Sequence, residues 1–278
     1  MGADLGGKPQ GEPMKTMSAT RFREAALSHA SRPPAARGPG VARPARGSLM
    51  RRMRVQALTD PLSGAFDDFE RILPALPIFE EAFCALARGM LISTDRGVVA
   101  VEDILPGDSV KLADGRFEQL LWKGTTPIHP HAPGQRQEMS RLTRIAADAL
   151  GIARPMHDLV LGPAARIAMR GRHVPAGYDA ELAMIPAAHL VDGSQIIEIA
   201  PPGAVPTFHL GFARHERMVV QGVEMESYHP GIETVEALSP ELRALFLSLF
   251  PHVASPDDFG PVAWPRIDLA EPDRYCLS

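Results

Sequence analysis

The 278-residue chain contains no asparagine, so any reaction that needs an Asn side chain to cyclise is excluded by composition. Cysteine is nearly absent as well. Cys84 and Cys276 are too few and too far apart in sequence for a disulfide framework, and no C-x-x-C pair points to zinc. A reduced, cytosolic chain fits that usage. No uninterrupted apolar run approaches the ~18 residues of a membrane span. The first residues carry no compact apolar core of the kind that directs export. Neither membrane insertion nor export by the general route is expected.

What the chain does have is 45% hydrophobic and 22% charged residues, enough apolar sequence for a core. Its net charge of −4 hides an asymmetry. Residues 1–56 hold 11 Lys and Arg against 3 Asp and Glu, and the remainder holds 18 against 30. The first part, rich in Gly, Pro, Ala, Ser and Arg, reads as a disordered basic leader, with one short helix over Ala19 to His29. Nucleic-acid binding through it is not favoured: it has one aromatic, Phe22, and no regular spacing. Residues 57–82 read as a connector, partly helical, because Phe66, Phe69, Ile72 and Leu73 stand at helical spacing before Pro74.

The central stretch is Ala87 to Val110. Met90, Leu91 and Ile92 predict a strand, Asp95-Arg96-Gly97 a turn in which Gly97 takes positive φ, and Val98, Val99 and Val101 the return strand. Pro106-Gly107-Asp108 leads to a third strand, Ser109 to Leu112, and Ala113-Asp114-Gly115 to another turn. Arg141 to Leu150 reads as strand or short helix, and Met156 to Met169 as strand, Pro-containing turn and strand. Leu242, Leu245, Phe246 and Leu249 share one face behind Ser239-Pro240, a cap and first helical position, so residues 233–278 are a C-terminal helix with an irregular tail.

The phrase Gly89, Leu91, Ile92, Thr94, Gly97, Val101-Glu102-Asp103, Gly107-Asp108 resembles the opening of a Hint domain, the fold shared by hedgehog autoprocessing domains and inteins, in the variant found in bacterial proteins. Further matches lie at Leu120 to Gly124, at Ile185 to Gly193, and from Thr207-Phe208-His209 through Arg214-His215-Glu216 to Tyr228-His229-Pro230-Gly231. They cover roughly residues 83–232. The resemblance implies an all-β, Hint-type twisted β horseshoe, here with a short C-terminal helix.

It also implies a chemistry. An active member cuts the peptide bond before its head residue when that residue's thiol attacks the preceding carbonyl, an N-to-S acyl shift that needs a proton donor for the leaving amide nitrogen and donors for the oxyanion. Counting back from Gly89, the head Cys belongs at Ala85, whereas the cysteine is Cys84. A one-residue slip turns a strand side chain to the other face. Cys84 is thus either a nucleophile or a small buried thiol beside Phe83. The family phrase L-x-S-P-x-H-R appears as Leu159-Val160-Leu161-Gly162-Pro163-Ala164-Ala165-Arg166, so its Ser and His are replaced by Gly162 and Ala165.

His215 is then the remaining acid/base candidate, with His229 and Arg166 as binding residues that match recurrent family positions. A lone His on a strand is more often a hydrogen-bonded structural residue than a catalyst, and either His also reads that way. With no Asn, splicing by the usual route is excluded. His129, His131, His209, His215 and His229 lack a metal-ligand spacing, and no metal or cofactor is expected. Two readings follow: a degenerate Hint protein that binds or scaffolds an unknown protein partner, or a domain that cleaves its own chain before Cys84 through a thioester.

Overall fold

The computed structural model describes residues 49–171 and 181–267, all of which lie in one unit, Pro39–Ser278. The reading of residues 1–48 as a leader falls outside the described residues, as do Cys276 and the end of the tail. The described part is antiparallel β in two sheets of eight strands each.

The first sheet is edged by a hairpin that sequence spacing did not suggest. β1 (Met50–Asp60) and β2 (Ala65–Pro74) pair from Met50↔Pro74 to Asp60↔Ala65, with an irregularity between Leu58 and Asp60. In β1, Arg51, Met53 and Val55 point inward while Arg52 and Arg54 face out, the alternation of a half-buried strand. Residues 50–56, expected in the leader, are therefore strand, and the helical spacing of Phe66, Phe69, Ile72 and Leu73 belongs to a strand. The decision is tertiary: β2 has ten partners across β1, among them Val55↔Phe69, and Arg54 grips Asp68 from one strand to the other. The helix of the connector is a single turn, α1 (Pro77–Glu80).

The remaining strands of this sheet are β3 (Leu86–Ala87), β8 (Trp122–Ile128), β9 (Leu142–Ile145), β10 (Leu159–Leu161), β13 (Ile196–Ile199) and β14 (Val205–Gly211), in the order β13-β9-β10-β3-β14-β8-β1-β2. Residues 141–150 thus begin as a strand.

The second sheet holds the hairpin read from the sequence. β4 (Leu91–Thr94) pairs with β5 (Gly97–Ala100) in register Leu91↔Ala100 to Thr94↔Gly97, with Gly97 at φ 107°. β6 (Ser109–Lys111), β7 (Phe117–Gln119), β11 (Arg166–Arg170), β12 (Leu182–Pro186), β15 (Arg217–Val220) and β16 (Val223–Glu226) complete it. Its order is β12-β11-β16-β15-β4-β6-β7. Two short helices follow, α2 (Ile232–Glu236) and α3 (Pro240–Leu247), and the Ser239 hydroxyl caps α3 by accepting from the Leu242 N–H.

One apolar core runs through the strands from Leu86, Ile92 and Val110 to Leu210 and Met225. A second, aromatic core gathers Phe79, Phe83, Trp122, Tyr228, Phe246 and Phe250. Trp122 is its centre: the indole N–H donates to the Leu249 carbonyl at 2.7 Å, and its ring lies 4.8 Å from that of Phe250. The C-terminal helix is thereby fixed onto β8. Gly124, two residues on, has no room for a side chain, since a Cβ would stand 2.7 Å from the Phe83 ring.

Candidate functional site

Three strands converge on Cys84. The preceding helix α1 is anchored by Glu80, which is wholly buried and holds two guanidiniums: Arg51 from β1, and Arg136, whose Nη2 is 3.0 Å away. The chain then bends, the Ala85 N–H donating to the Phe208 carbonyl of β14. On the other side the turn after β10 closes in, as Gly162 N–H donates to Ala85 O at 2.8 Å and Ala164 N–H to Cys84 O at 3.1 Å.

The Cys84 side chain faces away from polar company. It is fully buried in a small apolar cluster with Ile128, Met139 and Leu142, and its hydrogen-bond contact among the described residues is Met139 Sδ at 4.0 Å. Burial, helped by the charge of Glu81, pushes the thiol far above its ordinary range. The carbonyl on its other flank differs: Phe83 O lies 3.3 Å from the Thr207 hydroxyl, which donates to Thr126 O at 2.8 Å. Ala165 is buried in the main core.

His215 belongs to a separate cluster around Glu226, the last residue of β16. His215 Nε2–H donates to Glu226 Oε1 at 2.8 Å, while its Nδ1 accepts from the Ala263 N–H at 3.0 Å. Both ring nitrogens are engaged. Arg266 donates through Nε to the same Glu226 oxygen at 2.8 Å and through Nη2 to His229 O at 2.7 Å. Arg166 Nε lies 3.8 Å from Glu226 Oε2. Burial works against ionisation of Glu226, yet the His215 hydrogen bond and the Arg266 charge hold its carboxyl below the usual range. His229 donates from Nε2 to Gly260 O and accepts at Nδ1 from the Gly231 N–H, and burial lowers its pKa to about 4. The structure thus joins His215, His229 and Arg166 around one carboxylate, while the Cys84 thiol packs in the apolar cluster of Ile128, Met139 and Leu142.

Beside this cluster opens a cavity of about 470 Å³. Arg166, Glu226, His229 and Arg266 line it, together with two residues whose roles were not read from the sequence, His209 and Tyr228. His209 Nδ1–H donates to the Glu81 carbonyl at 3.0 Å, its ring lies 5.1 Å from Tyr228, and burial lowers its pKa to about 4. In the sequence His209 stands within the family-like phrase Thr207-Phe208-His209 and among the histidines weighed as metal ligands, with no role at this cavity. Arg266 gives no signal, standing in a stretch read as irregular tail. Among the described residues no group of three or more His, Cys, Asp or Glu could hold a metal ion, and no helix is long and apolar enough to cross a membrane.

A family model described as Hint domain matches residues 84–232, more than half of the chain. The chain belongs to the Hint domain family. The Hint match begins at Cys84 itself and ends at the start of α2, so β1, β2 and α1 before it, and α3 after it, lie outside the matched residues. Among solved structures, the solution structure of a bacterial intein-like domain from Clostridium thermocellum is similar at TM-score 0.36 and 13% identity, over 52% of this chain and 99% of that one. No curated protein matches the chain.

Proposed function

We propose that this Hint domain leaves its own chain uncut and serves as a binding module, with a protein partner. The observation that carries the reading is the setting of the Cys84 thiol: enclosed by Ile128, Met139 and Leu142, held protonated by burial, while both ring nitrogens of His215 are spent on Glu226 and the Ala263 N–H. An acyl shift needs sulfur to bond to the Phe83 carbonyl carbon as the C–N bond breaks and the Cys84 nitrogen takes a proton. In this geometry the thiol lacks a base, and the donor position is the methyl group of Ala165, packed in the core.

One observation favours the second reading, cleavage before Cys84. The Phe83 carbonyl, which would become the oxyanion, lies within reach of the Thr207 hydroxyl. Denaturing intact-mass spectrometry of the purified full chain, incubated overnight with and without dithiothreitol and hydroxylamine, separates the two. A persistent 30.0 kDa species in every tube is the expected result. A fragment beginning at Cys84, lost in Cys84→Ala, would overturn it.

A further inference from the structure

The cavity beside Glu226 holds polar groups that the fold itself does not use. Tyr228, which lines it, is 92% buried in the protein, and its hydroxyl has no hydrogen-bond partner among the described residues. His209, 94% buried, spends Nδ1–H on the Glu81 carbonyl, so Nε2 is left as an acceptor with no partner among the described residues. Arg266 uses Nε and Nη2, which leaves Nη1 as a donor. Of the three, the Tyr228 hydroxyl is enclosed without a partner, which is costly, and a ligand that supplies the partner recovers that cost.

The chemistry of these three atoms is specific. Two are donors and one is an acceptor. Glu226 stands as one carboxylate between the guanidiniums of Arg266 and Arg166, a setting that takes a second carboxylate better than another cation. The other acids on the wall, Glu81 and Glu138, are exposed, where solvent screens them. Ile78, Pro163 and Pro186 give apolar surface, and the volume falls within the roughly 300–1,000 Å³ range of small-ligand sites.

We propose, building on the binding-module reading, that this cavity captures the C-terminal end of a peptide whose last side chain is apolar. The terminal carboxylate accepts from Arg266 Nη1 and Tyr228 Oη, the backbone N–H of the same residue donates to His209 Nε2, and the side chain packs on Ile78 and Pro186. The partner of the module is thus recognised by its chain end.

The test is calorimetric titration of the full-length protein with acetyl-Gly-Gly-Leu, its C-terminal amide and acetyl-leucine. The free acid binds, and the amide binds at least about tenfold more weakly, the cost of one charge-assisted contact. Tyr228→Phe deletes an enclosed oxygen that bonds nothing in the fold, so it does not lower the melting temperature, and it weakens the acid several-fold. Acetyl-leucine, which keeps the carboxylate, N–H and side chain that make these contacts, binds within a few-fold of the tripeptide. Equal binding of acid and amide, no binding of either, or an unaffected Tyr228→Phe overturns the site, and acetyl-leucine binding tighter by more than that overturns the peptide-end assignment. Denaturing mass spectrometry of the same samples shows separately whether the chain is cut, so failure of this site and failure of the uncut-module reading are told apart.

Discussion

A Cβ built on Gly162 would stand 2.8 Å from the carbonyl carbon of Cys84 and closer still to its oxygen. The backbone at Cys84 occupies the space that a side chain at 162 would need.

Gly162→Ala follows as the first prediction. The obstructing atoms are backbone, also held by the Ala164 N–H and unable to swing aside. The variant loses about 1–3 kcal/mol, as overpacked sites do. Urea unfolding measures it, and an unchanged midpoint would contradict the packing described.

The second concerns Glu80. It is the wholly buried carboxylate that holds Arg51 and Arg136 together, so removing it leaves buried Arg51 without its counter-ion. Glu80→Ala costs roughly 3–5 kcal/mol, the usual result of breaking one side of a buried pair. Glu80→Gln, which keeps the shape, falls between. Equilibrium unfolding of both variants checks the order.

Stability should also fall in mild acid. Burial lowers the folded-state pKa of His209, His229 and His252 to about 4 each, against ~6.5 unfolded. Each is depressed, so the unfolded chain binds more protons in that interval, and the contribution is complete above ~6.5 and lost as pH falls towards 4. Urea midpoints at several pH values reveal it. His252→Gln, which removes one of the three, flattens the dependence, and an undiminished slope would show that His252 is not the titrating group.

The fourth is chemical. In a Cys276→Ser background the Cys84 thiol resists iodoacetamide under native conditions and reacts once denaturant is added, because it is both buried and protonated. Rapid native alkylation, followed by mass, would place the thiol at the surface.

Local signals carried much of this fold into view. The turn at Asp95-Arg96-Gly97 and the Ser239-Pro240 start of α3 are written in adjacent residues, and each forms where expected. The hairpin β1–β2 is not local in that sense. Phe66, Phe69, Ile72 and Leu73 satisfy a helical period by coincidence, and pairing across β1 decides the strand. The candidate site was half legible for the same reason. His209, His215, His229 and Arg166 sit in motif-like phrases, whereas Arg266 reaches Glu226 across 40 residues of sequence and the cavity that His209 lines is seen only in the folded chain.

The hairpin ahead of the matched domain changes what scission at Cys84 would yield. β1 is laced to β8 from Arg54↔Thr125 to Ala57↔Trp122, Phe79 and Phe83 are embedded around Trp122, and Glu80 is clamped by Arg136 from beyond the break. A broken peptide bond there would leave every one of these contacts in place. The product would be a two-piece protein that travels as one, its interrupted backbone hidden from native chromatography and evident only after unfolding.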